Sequence, residues 1–304
     1  MKSFLLLTLL FPVMIHPCGP CGPCGPAISI DPGIAQGTLQ VNEKTITLRH
    51  AYAHLHDNAE GLLDRPKELR VLLTDREVPQ SSLTGIAFLP VRDLAKQGRV
   101  QGLLFEMAPD DPNNVVMTLL FLPSKPEQSL ITQSISVTGS VTGSVTGQQV
   151  FKDWSLANNR VVGAIERRDE RKSNFSDIPS TGYSVRFSAP IFNEPPVTAD
   201  LKGKAALDSP QARVLSAKAA ALARGDFAAV RKLSTERANR RSEAMLALRS
   251  AEITRLARQA GAEMRRTLPK VRRVVARGDR AVVIFPGKQW FTFAREGGEW
   301  KSDD

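Results

Sequence analysis

Cysteine is nearly absent: the 304 residues hold three, and none follows Cys24. Everything downstream must therefore be held by core burial rather than disulfides, which a chain of this size can manage. Histidine is scarce as well, with four residues and none after His56. Past residue 210 there is no histidine, tyrosine or cysteine, so that stretch lacks the side chains most used as general bases and nucleophiles. No apolar run approaches the ~20 residues a membrane-spanning helix needs, which excludes a multi-span membrane protein.

The last third is also short of acids. Residues 211–304 carry 21 Lys and Arg against 10 Asp and Glu, a net of +11, while the preceding 210 residues are net −1. The whole-chain charge of +10 thus belongs to the last third, and a boundary near residue 200 follows. Apolar residues at 42% and charged ones at 24% are globular values, and the length suits two domains.

Lys2 followed by residues 4–15, apolar except for Thr8, reads as a secretory signal. Gly25 and Ala27 provide small residues for cleavage after Ala27, with Ala35 a later alternative. Pro17 directly before Cys18 argues against lipid attachment there. Residues 1–27 are read as the signal and 28–36 as a flexible lead, placing the protein in the periplasm or outside the cell. All three cysteines lie in the triplet repeat Cys18-Gly19-Pro20-Cys21-Gly22-Pro23-Cys24-Gly25-Pro26. Without a second cysteine pair or a rigid scaffold this is a repeat expansion rather than a metal site.

From 37 to 192 the apolar period is close to two. Strands are expected at 37–41, 45–52, 69–73, 101–107, 115–122, 148–154, 160–165 and 183–192, with a partly helical stretch at 83–97. Many short strands imply an antiparallel all-β sandwich or partly closed barrel. Ser136-Val137-Thr138-Gly139 recurs at Ser140 and Ser144. Four residues are too few for a solenoid unit, so the repeat is an expanded hairpin or loop tip.

His50, His54 and His56 share one strand face with Tyr52, because side chains alternate. Imidazoles two positions apart are about 6.6–7 Å apart along a strand, a spacing at which two can ligate Zn²⁺ or Cu²⁺. The set would need a carboxylate such as Asp57 or Asp75 to be completed. The competing reading is a mixed polar face running off a strand end into the loop at 57–66.

Residues 193–209, with Glu194-Pro195-Pro196, read as a linker. Ser209-Pro210 starts a helix that stops at Gly225, Asp226 caps a second over 227–233, and a third spans 239–268 up to Pro269. The period then returns to two at 270–276, 280–285, 289–294 and 299–301. Helices followed by a meander make a small α+β unit at 210–304.

That element order resembles the cone-shaped superfamily named for nuclear transport factor 2, which includes ketosteroid isomerase. The break Ala223-Arg224-Gly225-Asp226-Phe227 and the close Phe293-Ala294-Arg295-Glu296-Gly297-Gly298-Glu299-Trp300-Lys301 carry the likeness. Gly37-Thr38-Leu39 and His50-Ala51-Tyr52-Ala53 look like exported bacterial proteins. The cone resemblance implies a fold but no particular activity.

An isomerase would need a base and an oxyanion donor in an apolar cup, and the last third interleaves its acids with arginines instead. The expectation is therefore a non-enzymatic binding or assembly protein of the bacterial envelope without a cofactor. A small-molecule enzyme or carrier using the cone pocket is the alternative. Arg240, Arg241, Arg265 and Arg266 are the candidate anion contacts, since guanidinium forks suit phosphate and carboxylate. The partner would be an anionic envelope component or an acidic protein. Nucleic acid is not expected in that compartment, and Gly-Gly turns with exposed edges permit a homodimer.

Overall fold

A computed structural model describes residues 33–79, 82–83, 89–121, 134–137, 151–167, 181–247 and 251–304. The expected signal, the cysteine repeat and most of the Ser-Val-Thr-Gly repeat lie outside the described residues. The first sheet contains β1 (Gly33–Val41), β2 (Lys44–His56), β3 (Glu68–Thr74), β4 (Gly102–Ala108) and β5 (Asp111–Leu120). It continues through β6 (Ser134–Val137), β7 (Lys152–Ala157), β8 (Arg160–Arg167) and β9 (Thr181–Asn193), with helix α1 (Leu89–Lys96) inserted between β3 and β4.

The strand order is β6-β5-β4-β3-β2-β1-β9-β8-β7, antiparallel throughout except for a short parallel β2–β9 contact. The sheet curls into a nearly closed barrel-like form. Phe151, just before edge strand β7, meets Phe105 of β4 at a ring distance of 5.4 Å and Phe187 of β9 at 6.2 Å. Leu69, Val71, Leu73, Phe105, Met117, Val161 and Val185 therefore share one buried cluster although they come from both ends of the strand order.

Strand β1 starts earlier than its sequence pattern suggests, at Gly33 rather than 37. It begins where β2 and β9 converge. A Cβ on Gly33 would lie 2.2 Å from the Ser188 carbonyl oxygen and 2.9 Å from that of Ala51, so only glycine fits. Beyond this point β1 no longer separates its neighbours, and β2 pairs directly with β9 through Ala53–Ile191, His54–Phe192 and Leu55–Asn193. The functional consequence is that the end of β2 and the chain leaving β9 lie side by side.

The second sheet has the order β10-β11-β12-β13-β14, built from β10 (Ala199–Lys202), β11 (Arg273–Arg277), β12 (Arg280–Ile284), β13 (Trp290–Glu296) and β14 (Glu299–Ser302). Strand β10 falls inside the stretch read as a linker; its four residues are too few to show a period. Between β10 and β11 come α2 (Lys204–Leu207), α3 (Pro210–Arg224), α4 (Phe227–Lys232), α5 (Glu236–Ala247) and α6 (Ala251–Thr267). The single helix expected over 239–268 is thus two helices, with 248–250 outside the described residues.

The helix ends follow local chemistry. Ser209 Oγ accepts from the Ala212 amide at 3.2 Å, Gly225 closes α3 in the left-handed region at φ 73°, and Asp226 accepts from the Ala229 amide at 3.0 Å. One face of the second sheet is filled: Leu215 of α3 and Ala206 of α2 pack on Val274, Ala276, Val283, Phe285 and Phe293.

Helices α3 and α6 approach backbone to backbone at Gly261. A Cβ there would sit 2.4 Å from the Ala223 amide nitrogen and 2.7 Å from the Ala219 carbonyl oxygen. Gly261→Ala should therefore force the helices apart and cost about 1–3 kcal/mol, read as a lower urea midpoint by circular dichroism. An unchanged midpoint would mean that the crossing has slack.

Candidate functional site

The opposite face of the second sheet presents Val275, Arg277, Arg280, Val282 and Ile284 in cross-strand rows. A segment between β2 and β3 docks on this face. Leu62 packs on Val275, Val282 and Ile284, while Asp57 and Glu60 reach Arg277 and Asp64 reaches Lys288.

The segment is shaped by Asn58, held at φ 49°. Its Oδ1 accepts from the Leu62 and Leu63 amides at 2.9 and 3.0 Å, and its Nδ2 donates to the Leu63 and Arg65 carbonyls at 3.0 and 2.6 Å. Asn tolerates this backbone region, and a side chain using both its donor and its acceptor atoms fixes the loop.

Beside that loop the two sheets enclose a cleft of about 240 Å³. Its wall combines Pro90, Pro195, Val275, Val282 and Phe293 with His56, Glu60, Glu194, Arg237, Arg277, Arg280 and Asp303. At its base a chain of alternating groups runs through the seam. Glu194 Oε1 lies 3.2 Å from both His54 Nε2 and His56 Nδ1. His56 Nε2 faces Glu60 Oε2 at 3.5 Å, and Glu60 Oε1 accepts from Arg277 Nε at 2.8 Å. Arg277 also donates to the Pro195 carbonyl at 2.6 Å and forks onto Asp57.

Burial sets the electrostatics here. The side chains of His54, His56, Glu60 and Glu194 are 0–3% exposed, and charges taken out of water need partners. Loss of hydration pushes His54 below the ordinary imidazole range against the pull of Glu194, with Arg70 adding in the same direction. Burial opposes ionisation of Glu194, but the two imidazoles outweigh it and hold the carboxyl well below the usual range.

A second brace closes the other side of the cleft. Asp303 accepts from Arg237 at 2.7 and 3.0 Å and from the Thr235 hydroxyl at 2.6 Å, and Arg280 stands 3.6 Å away. Arg237 also reaches Asp93 of α1 at 2.5 Å, and Arg241 reaches the same carboxylate at 3.5 Å.

These placements redistribute the residues singled out by sequence. His54 and His56 come together, at a ring distance of 6.1 Å, and their carboxylate is Glu194 from the stretch read as a linker. His50 is half-buried and pairs in register with Thr74, away from Glu194. Among the described residues no three His, Cys, Asp or Glu side chains are arranged to hold a metal ion. Arg241 turns into the Asp93 brace, Arg240 pairs with Glu236 on its own helix, and Arg265 and Arg266 are exposed on α6. Glu60, Glu194, Arg277 and Asp303 were missed, because partners 138 and 217 positions apart leave no local spacing to read. Neither a family model, a curated protein nor a solved structure matches the chain.

Proposed function

We propose that this is an exported, non-enzymatic binding or assembly protein of the bacterial envelope, acting through an anionic envelope component or an acidic partner. The observation that carries the reading is a division of its arginines. Those at the cleft, Arg237, Arg277 and Arg280, face carboxylates inside the fold. Those of α6 point outward, with Arg255 and Arg266 side chains 62% and 77% exposed.

Two further features support it. The cone face that a pocket enzyme would keep open is filled by Leu215, Phe285 and Phe293, and the cleft's charged groups neutralise one another. Residues 31–304 form one compact unit joined at Leu62, but each sheet keeps its own main apolar cluster, which supports a two-domain organisation, a β domain followed by a unit resembling the nuclear transport factor 2 superfamily. Helices α3 to α6 preceding the meander β11 to β14 support that second assignment. The cleft favours one alternative, a small-molecule carrier, because apolar walls and convergent polar groups are the usual make-up of ligand sites.

Retention on a heparin or phosphate matrix tests the main reading. The protein should bind at low salt and elute only as ionic strength screens the contacts. Elution at a salt no higher than that of a neutral control protein would remove it.

A further inference from the structure

Helix α6 carries its charges in two separate stripes. At 3.6 residues per turn, Arg255, Arg258, Arg265 and Arg266 fall within a sector of about 100° on the helix surface. Glu252 and Glu263 occupy a neighbouring strip, and Ile253, Ala257, Gly261 and Met264 form the half-buried to buried face toward the protein. From Arg255 to Arg266 the stripe is about 16 Å long.

Among the described residues two of these arginines are held only by solvent-exposed partners one turn away, Arg255 by Glu252 at 2.6 and 2.9 Å and Arg266 by Glu263 at 3.3 Å. Exposed pairs of this kind are worth little and exchange readily. Arg258 and Arg265 have no carboxylate within ion-pair distance among the described residues. Arg258 also lies against Gly225, its Nε 3.5 Å from where a Cβ would stand, which puts Arg224 at the end of α3 beside the stripe. The Arg224 side chain is 65% exposed and 4.0 Å from Asp226.

We infer that this stripe is the docking line for a linear polyanion, an extended phosphate- or sulfate-bearing polymer lying along α6. The inference rests on the anion-binding reading above and narrows it. A flat anionic bilayer would press on the whole outer face of the helix, including the Glu252 and Glu263 strip, and Leu256 is the one large apolar side chain on α6 that is as much as 49% exposed. A membrane-surface helix instead needs an apolar face to insert. A single strand follows the arginines and avoids the glutamates.

The test compares the full chain with Arg258→Gln/Arg265→Gln and with a control pair on α4, Arg231→Gln/Lys232→Gln. The probes are long-chain polyphosphate and phosphatidylcholine vesicles with and without phosphatidylglycerol. The wild type should bind polyphosphate. The stripe variant should lose about tenfold or more in affinity, with a salt dependence shallower by about two ions released, while the control pair binds as wild type. Binding to the phosphatidylglycerol vesicles but not to polyphosphate would overturn the linear polyanion and leave the anion-binding reading standing. Equal losses in both variants would overturn the stripe. No binding to either probe would overturn both readings.

Discussion

Replacing Arg277 by methionine is expected to cost about 3–5 kcal/mol of stability, because it strands a buried charge rather than deleting a surface contact. The guanidinium is 7% exposed and serves Glu60, Asp57 and the Pro195 carbonyl together. Without it the Glu60 carboxylate, 3% exposed, keeps His56 and the weaker field of Arg273 as counter-groups and stands in the same imidazole's field as Glu194. Methionine fills much of the space, so the loss reports charge more than volume.

A second substitution separates the two. Adding Glu60→Gln to the methionine variant removes the stranded charge and should recover a measurable part of the loss, a coupling that a double-mutant cycle isolates. Arg273→Met is the comparison: its side chain is 26% exposed on Asp200 at 2.6 Å with one long bond to the Glu60 carbonyl at 3.4 Å, and exposed pairs contribute about 0–1 kcal/mol. Urea midpoints for the wild type, Arg277→Met, Glu60→Gln, the double variant and Arg273→Met decide the matter. An Arg277→Met loss no larger than that of Arg273→Met would mean that Leu62 and its apolar neighbours hold the seam without the ion pairs.

Most strands of the first sheet were legible because a two-residue period is local, β3 only as a continuous buried run and β6 (Ser134–Val137) not at all, and the ends of α3 and the start of α4 were legible because Ser209, Gly225 and Asp226 act on amides within four positions. The common face of His54 and His56 could be read the same way. Their carboxylate could not. Glu194 precedes two prolines and looks like the start of a linker, and it reaches the histidines only because β2 and β9 pair past the beginning of β1. That convergence depends on Gly33, which by itself could mark any turn. The arginine surplus misleads for a related reason. Arg237, Arg241, Arg277 and Arg280 belong to the same run of basic residues as Arg258 and Arg265, yet they turn toward Asp57, Glu60, Asp93 and Asp303. Composition counts charges without regard to direction, and only tertiary pairing separates bracing arginines from outward ones.

The same seam predicts loss of stability in acid. His54 is held below the ordinary imidazole range by burial, so between that lowered value and about pH 6.5 the unfolded chain binds a proton that the folded chain refuses. Stability due to this group falls as pH drops below about 6.5 and stops falling once the folded imidazole also protonates. Glu194 has the same sign at lower pH. Its contribution is present above the ordinary carboxyl range near pH 4.5 and is lost as pH falls toward its depressed folded value. Glu106 and Asp304 act in the opposite direction, since burial raises both and their protonation favours the folded state. Their raised values bring their protonation toward the same interval, where it offsets part of the His54 loss, so the imidazole's own share is read from the difference between the wild type and a variant without it. Urea midpoints measured between about pH 7.5 and about pH 5 should therefore decline in the wild type. In His54→Gln, whose amide can still donate to Glu194 but cannot titrate, the decline should flatten. A wild-type profile already flat over that interval, or an equally steep one in the glutamine variant, would show that the buried imidazole does not set the acid limit of the fold.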